Sequence, residues 1–279
     1  MVITGGSGML GRTIRSRMDT VAWLAPDSAE LDIRDRDATL RLFDREKPTV
    51  VVHCAAATQV DRCESEREWA FAVNEKGSEN VARAAHAVGA RLIAFSTDYV
   101  FSGDGHEPQV EAAPTVPKTI YGMSKLAGEQ AIAREAPNHL IARISWLYGP
   151  GGPSFVHTMM RLGAEGGDPL KVVHDQVGGP TITLVIVDAL EKILKTDARG
   201  ILHLTCSGEA SWFDFASEIF DLLGLKRQVV PCTSAEFPRP APRPKNSRLD
   251  NSRGAALGVG PLPHWRQALG DFFTTYPQG

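Results

Sequence analysis

No run of apolar residues in the chain approaches the roughly 18–20 that a membrane-spanning helix needs. The N-terminus enters Met1-Val-Ile-Thr4 without a basic stretch and an apolar one before it, so no secretion signal is expected. Four cysteines (Cys54, Cys63, Cys206, Cys232) form no C-x-x-C pair, and eight histidines form no H-x-x-x-H pair. That spacing excludes a disulfide framework and a zinc site. The thiols read as small buried residues in the reducing cytoplasm, and no metal is expected. A large excess of one charge is also missing. With a net charge of −3 and a pI near 6.2, neither nucleic acid nor an anionic membrane surface is an expected partner. There is no internal repeat.

What is present suits an enzyme. The 279 residues, 43% hydrophobic and 23% charged, are enough for one large domain or two unequal ones. Met1 to Thr4 is a short apolar run followed by Gly5-Gly-Ser-Gly8-Met-Leu-Gly11, and then by a helical pattern over Arg12 to Met18. Glycines at 5, 8 and 11 permit a tight turn, close approach of backbone to a pyrophosphate, and close helix–strand packing, with a helix N-terminus facing the phosphates. Val21 to Leu24 reads as a second strand. The residues after it, Ala25-Pro26, are neither acidic nor basic, so they leave the choice between NADH and NADPH open. Asp32, followed by Ile33, is placed either to accept from an adenine amino group or to begin a helix cap region. Asp35 opens a helix to Glu46.

Thr49 to Cys54 is nearly all apolar, the signature of a strand buried on both faces of a parallel sheet. It ends in Ala55-Ala-Ala-Thr58, small residues that let a flat cofactor lie close to the backbone. Glu64 to Val88 reads as one long helix, its apolar face interrupted by Asn74, which either holds a kink or a water or is simply solvated. Arg91 to Phe101 is the next strand with its exit, and Thr97 at its end either donates to a carbonyl oxygen or binds its own loop. Residues 102–118, rich in glycine and proline, form a loop long enough to be a partial lid. Tyr121 and Lys125 follow, four apart on a helix to Glu135 and so on one face of it. There the ammonium is expected to lower the phenol pKa. His139 to Ser145 is a fifth strand, after which Trp146 either stacks on a base or sugar or fills the core. Helices over Phe155 to Glu165, Ile182 to Lys195, Trp212 to Leu223 and Pro263 to Tyr276 follow, with strands Leu170 to Val173 and Gly200 to Thr205 and a turn over Asp175 to Thr181.

Strand–helix alternation through residue 145 makes this an α/β chain: a Rossmann-type doubly wound parallel sheet with a smaller C-terminal α/β substrate domain. Residues 1–146 are assigned to dinucleotide binding and completed by about 178–204. Residues 147–177 and 205–260 are assigned to the substrate, and 261–279 to a C-terminal helix.

The glycine loop, the strand-end Thr97 and the Tyr121/Lys125 pair resemble the extended short-chain dehydrogenase/reductases. Ser96-Thr-Asp-Tyr-Val-Phe101, Tyr121-Gly-Met-Ser-Lys-Leu-Ala-Gly-Glu129, Asp175-Gln-Val-Gly-Gly-Pro-Thr181 and Arg243-Pro-Lys-Asn-Ser-Arg-Leu249 are similar, more narrowly, to the dTDP-4-dehydrorhamnose reductase family. That resemblance implies reduction of the C4 ketone of dTDP-4-dehydro-L-rhamnose to dTDP-L-rhamnose with NADPH, NADH being the other option. It implies catalytic roles for Thr97, Tyr121 and Lys125. It places Gly5, Gly8, Met9, Leu10, Gly11, Asp32, Ile33, Ala56, Ala57, Thr58, Tyr121 and Lys125 on the cofactor. The dTDP-sugar falls to Thr97, Asp98, Tyr121, Trp146, Arg243, Asn246 and Ser247, with the basic, proline-rich segment suited to a diphosphate.

Three features depart from the family pattern. The first strand is short. The positions at which some members carry acidic residues bridging a dimer through magnesium hold Thr13 and Leu184, so a monomer or weak dimer without a metal bridge is expected. Ala25-Pro26 leaves cofactor choice to the resemblance. The alternatives are a reductase of another dTDP-4-keto-6-deoxy sugar, or a non-catalytic binding protein similar to the β subunit of methionine adenosyltransferase.

Overall fold

Successive residues of a buried strand face opposite ways, and the apolar runs of this chain fill both faces of one sheet. A computed structural model describes residues 1–276. The first half runs β1 (Val2–Thr4), α1 (Met9–Arg17), α2 (Arg36–Glu46), β2 (Val50–His53), α3 (Val60–Ser65), α4 (Arg67–Phe71), a π-helical turn (Ala72–Gly77), α5 (Ser78–Ala87), β3 (Arg91–Thr97), a 3-10 turn (Asp98–Val100), α6 (Ile120–Glu135) and β4 (His139–Ile144). The second half runs β5 (Leu147–Tyr148), α7 (Phe155–Glu165), β6 (Leu170–Val173), β7 (Val177–Gly178), β8 (Thr181–Ile182), α8 (Thr183–Ile193), β9 (Gly200–His203), β10 (Ala210–Ser211), α9 (Trp212–Leu223), β11 (Val229–Cys232), β12 (Asn246–Ser247), α10 (Ser252–Ala256) and α11 (Trp265–Thr275). Of the span 261–279 assigned to a terminal helix, residues 277–279 lie outside the described residues.

The main sheet is parallel throughout, in the order β1-β2-β3-β4-β9. Val51, Leu92 and Ile141 point to a core completed by Phe43, Val81 and Ile132 from α2, α5 and α6. Val52, Ile93 and Leu140 point the other way, to Ile14, Ile186 and Leu190 from α1 and α8. Helices on both faces force this alternation, and the sheet's carboxyl edge is left free for ligands.

Several expected elements come out differently. The strand over Val21 to Leu24 contracts to one residue: Leu24 bridges Val2, with Ile3 N donating to Leu24 O at 2.8 Å and Leu24 N to Met1 O at 3.0 Å. Pro26, two residues on, has no N–H with which to extend a ladder. The long helix over Glu64 to Val88 is broken at Glu66 (φ −120°, ψ 59°) and widened into the π-helical turn that contains Asn74. The turn over Asp175 to Thr181 contains β7 and runs into β8. Strands β11 and β12 and helix α10 were not expected. Their segments are short, and only pairing with β6 and β7 makes strands of β11 and β12.

Helix α6 docks closely on the π-helical turn. A Cβ at Gly128 would lie 2.2 Å from the backbone oxygen of Asn74. Buried Arg143 on β4 makes a bidentate pair with Glu129 at 2.9 and 2.7 Å, fixing the same helix to the sheet. Backbone cannot step aside as a side chain can, so Gly128→Ala should lower stability by about 1–3 kcal/mol. Urea unfolding measures this; an unchanged midpoint would show that the contact is not tight.

Candidate active site

Thr119 caps α6, its hydroxyl accepting from Gly122 N at 2.9 Å. The next turn presents Tyr121 and Lys125 on the buried face, 9% and 7% exposed. Lys125 Nζ donates to Phe95 O of β3 at 2.9 Å. Burial lowers the Lys125 pKa to about 8, and Glu129 on the next turn pulls it the other way.

The Tyr121 phenol corrects an expectation. Burial dominates and pushes its pKa up; what pulls down against burial is a hydrogen bond with Thr97. The ammonium four residues on is drawn to the Phe95 carbonyl, so sharing a helix face does not make it the controlling charge. The Tyr121 and Tyr99 rings meet edge to face, with centroids 5.3 Å apart.

Thr97 ends β3 and caps the 3-10 turn, accepting from Tyr99 N at 3.2 Å while its hydroxyl donates to Asp98 Oδ1 at 3.0 Å. Asp98 is buried, and Oδ2 has no hydrogen-bond partner of good geometry among the described residues. Burial raises its pKa to about 6, against the downward pull of the nearby Ser247 and Thr97 hydroxyls.

Gly5, Gly8, Met9, Leu10, Gly11, Ala56, Thr58, Thr97, Asp98, Tyr121, Lys125 and Trp146 all line one cavity of about 620 Å³. The glycines form a cradle in which side chains would not fit. A Cβ at Gly11 would lie 2.5 Å from Gly5 O, and Gly5 itself has φ 72°. Gly8 caps α1 without any side chain, so the first-turn N–H groups face the cavity unclaimed. Such an end suits a pyrophosphate, and a dinucleotide fits these residues.

Other expected site residues lie outside this cavity. Asp32 is occupied by Arg34, with Nε at 2.9 and 3.0 Å and Nη2 at 2.6 Å. Ile33 is buried against Gly77. Ala57 is buried beneath the lining, its N–H donating to Asn74 Oδ1 at 2.8 Å. Arg243 pairs with Asp61 at 2.9 Å, and Arg239 pairs with the same carboxylate at 2.8 Å. Asn246 and Ser247 form β12; Asn246 donates to Glu107 O at 2.8 Å. Thr13 donates to Thr183 Oγ1 at 3.0 Å, and Leu184 packs on the core. Among the described residues, no group of three or more His, Cys, Asp and Glu is placed to hold a metal ion, and no helix is long and apolar enough to cross a membrane.

Sequence reasoning missed Arg12, Tyr99 and Trp212, all of which line the cavity. Asn74, for which the sequence leaves a kink, a water or plain solvation open, is buried within the π-helical turn. Asn74 is 1% exposed; besides the bond from Ala57 N, it donates to Ala57 O at 3.1 Å and to Ser124 Oγ at 2.9 Å. A polar residue interrupting an apolar helix face was the one signal available. Trp212 had none, because an aromatic at the start of a helix most often serves packing.

The sequence profile of the family described as RmlD substrate binding domain matches residues 1–277. The chain belongs to this family. It is 45% identical over 98% of its length to the dTDP-4-dehydrorhamnose reductase of Streptomyces griseus, covering 92% of that protein. In three dimensions it is similar to a dTDP-4-dehydrorhamnose reductase from Clostridium acetobutylicum, with a TM-score of 0.95, 41% identity and 99% of each chain covered. It is similar too to the enzyme of that name from Bacillus anthracis, solved in complex with NADP, with a TM-score of 0.95, 37% identity and 98% of each chain covered.

The buried Asp98 makes a pH prediction. Its carboxyl takes up protons more readily folded (pKa about 6) than at the ordinary value of 3.8, so stability falls as pH rises through that window. Asp98→Asn, which cannot ionise, should gain about 2–3 kcal/mol on wild type between pH 4 and pH 7. Urea unfolding at both pH values measures it, and an equal difference at the two would show that Asp98 carries no such penalty.

Proposed function

We propose that the chain reduces the C4 ketone of dTDP-4-dehydro-L-rhamnose to dTDP-L-rhamnose with NADPH. The observation that carries this reading is the convergence of Thr97, Tyr121 and Lys125 with the glycine cradle in one cavity, in a chain whose relatives bear that activity in their names. Gly5–Gly11, Ala56 and Thr58 would hold a reduced nicotinamide, whose chemistry when bound would be hydride donation.

The other roles fall to side chains. Tyr121 gives its proton to the oxygen that becomes the C4 hydroxyl, and its raised pKa keeps the phenol protonated at neutral pH, the form that donation needs. Lys125, with a pKa near 8, still carries a positive charge there and holds the ribose hydroxyls beside the phenol. Thr97 already has a hydroxyl proton directed at Asp98; turning it to the ketone oxygen polarises the carbonyl. Asp98 and Trp146 address the sugar. Arg243 serves the diphosphate by exchanging its Asp61 partner for the ligand, an anion for an anion.

We further propose that the enzyme works in the cytoplasm, as its four free thiols suit, and without a metal-bridged dimer. Thr13 and Leu184 offer no carboxylate to a divalent cation. Turnover and molecular mass should be unchanged after chelation; a dimer lost with EDTA would contradict this.

The reaction is tested by following NADPH absorbance with the 4-keto sugar generated in situ. Oxidation is expected, and none with either nicotinamide would remove the reading. Tyr121→Phe should lower kcat by about 10²–10⁴-fold and leave NADPH affinity unchanged. A kcat close to wild type would take the proton-donor role away from Tyr121.

A further inference from the structure

Trp146 has an unusual backbone. Its φ is +48°, and among the described residues Lys47 is the only other non-glycine residue with positive φ. A bulky side chain rarely adopts that region, and strain of this kind persists only where the surroundings over-determine it. The surroundings here are specific. Thr181 N donates to Trp146 O at 3.2 Å, and Ser145 Oγ donates to Gly179 O at 3.2 Å, so the 179–181 segment holds the main chain. Gly178 lies against the indole: a Cβ there would be 2.6 Å from Cε2 and 2.8 Å from Nε1. Trp212 stacks on the ring with centroids 3.6 Å apart and planes within 9°. Phe155 lies against Trp212 in turn, at 4.5 Å.

Trp212 is itself on a rigid mount. It is the first residue of α9, whose capping box joins Ser211 and Asp214 through bonds of 2.9 and 3.0 Å. Both indoles line the cavity with Asp98 and Tyr121. The N–H groups of Trp23 and Trp265 donate to Met18 O and Glu209 O, whereas those of Trp69, Trp146 and Trp212 have no acceptor among the described residues, and of these three only Trp146 and Trp212 line the cavity. At the cavity wall the two indoles offer their N–H groups to a polar ligand.

We propose that Trp212 is a substrate-positioning residue. Stacked on Trp146, it holds that strained indole so that the ring edge of Trp146, rather than a ring face, meets the sugar. With Trp212 on one face and Gly178 against its pyrrole part, Trp146 is held as a wall of the sugar subsite and is not free to act as a stacking plate. The inference deepens the reductase reading and rests on it.

Trp212→Ala and Trp212→Phe test it, with three readouts. Trp212→Ala should raise the KM for the dTDP-4-keto sugar at least about tenfold, and keep kcat and the Kd for NADPH, titrated by fluorescence, within about twofold. It should also abolish the far-ultraviolet exciton couplet that two stacked indoles produce in circular dichroism. Trp212→Phe, which keeps a stacked ring, should restore KM to within about threefold of wild type. Loss of the couplet with an unchanged KM would overturn the proposal. So would a KM and an NADPH Kd that rise together in both variants, which would mean general loosening. If Trp212→Ala does not fold, Trp212→Phe decides, since a KM raised as far as a ring deletion predicts would contradict positioning by stacking. Absence of turnover by the wild-type protein would instead remove the reductase reading, and is told apart from failure of this proposal because the latter leaves wild-type turnover in place.

Discussion

The carboxamide of Asn74 is the joint on which the site depends. It satisfies both the N–H and the C=O of Ala57 just beyond the end of β2, and it donates to Ser124 between Tyr121 and Lys125. Three pieces of chain far apart in sequence meet at one planar group. The π-helical turn follows from this: it widens the helix around Asn74, while the absent side chain of Gly128 lets α6 approach the Asn74 backbone. Without that approach Tyr121 and Lys125 would sit on the correct helix at the wrong distance from the sheet edge. A buried amide left half-satisfied would cost about 1–3 kcal/mol for each orphaned group, enough to favour this arrangement over neighbouring ones.

Around the joint, the charges are arranged by burial more than by each other. Lys125 is eased towards neutrality and Tyr121 is held in its protonated form, both because water is excluded. Asp98 is pushed in the same direction, with one oxygen unpartnered. By contrast, Arg143 and Glu129 pair with each other beneath α6, and pairing permits the burial of both charges. Asp98, at the cavity, has an unpartnered carboxylate oxygen, whereas behind it Glu129 has both oxygens paired and Arg143 is left with Nη1 alone unpartnered among the described residues. Sites store strain of this kind where a ligand is to supply the missing partner.

The parts of the site that were legible in the sequence are those whose chemistry depends on local spacing. Glycines at 5, 8 and 11 specify a turn and a helix end, and Tyr121 with Lys125 specifies a helix face; the cavity contains all of them. Thr97 was legible because strand ends in a parallel sheet share one edge. The basic segment around Arg243 was legible as charge but not as position, since a carboxylate from α3, remote in sequence, holds it outside the cavity. For Asp32 the sequence leaves an adenine acceptor and a helix cap region open, and in the fold its carboxylate is held by the main chain and guanidinium of Arg34. The Tyr121 pKa was misjudged because spacing reports a neighbour and says nothing of how much water is excluded.

The sequence by itself determined the parallel α/β sheet, the glycine cradle and the helix that carries Tyr121 and Lys125, because each follows from patterns spanning a few residues: apolar runs, capping, and periodicities of 2 and 3.6. Tertiary structure alone decided what those pieces face. The stack of Trp146 on Trp212, the clasp of Asn74 on Ala57 and the hold of Asp61 on Arg243 join residues 66, 17 and 182 positions apart. Pairings over such distances are selected by the packing of the whole chain, and no local pattern encodes them.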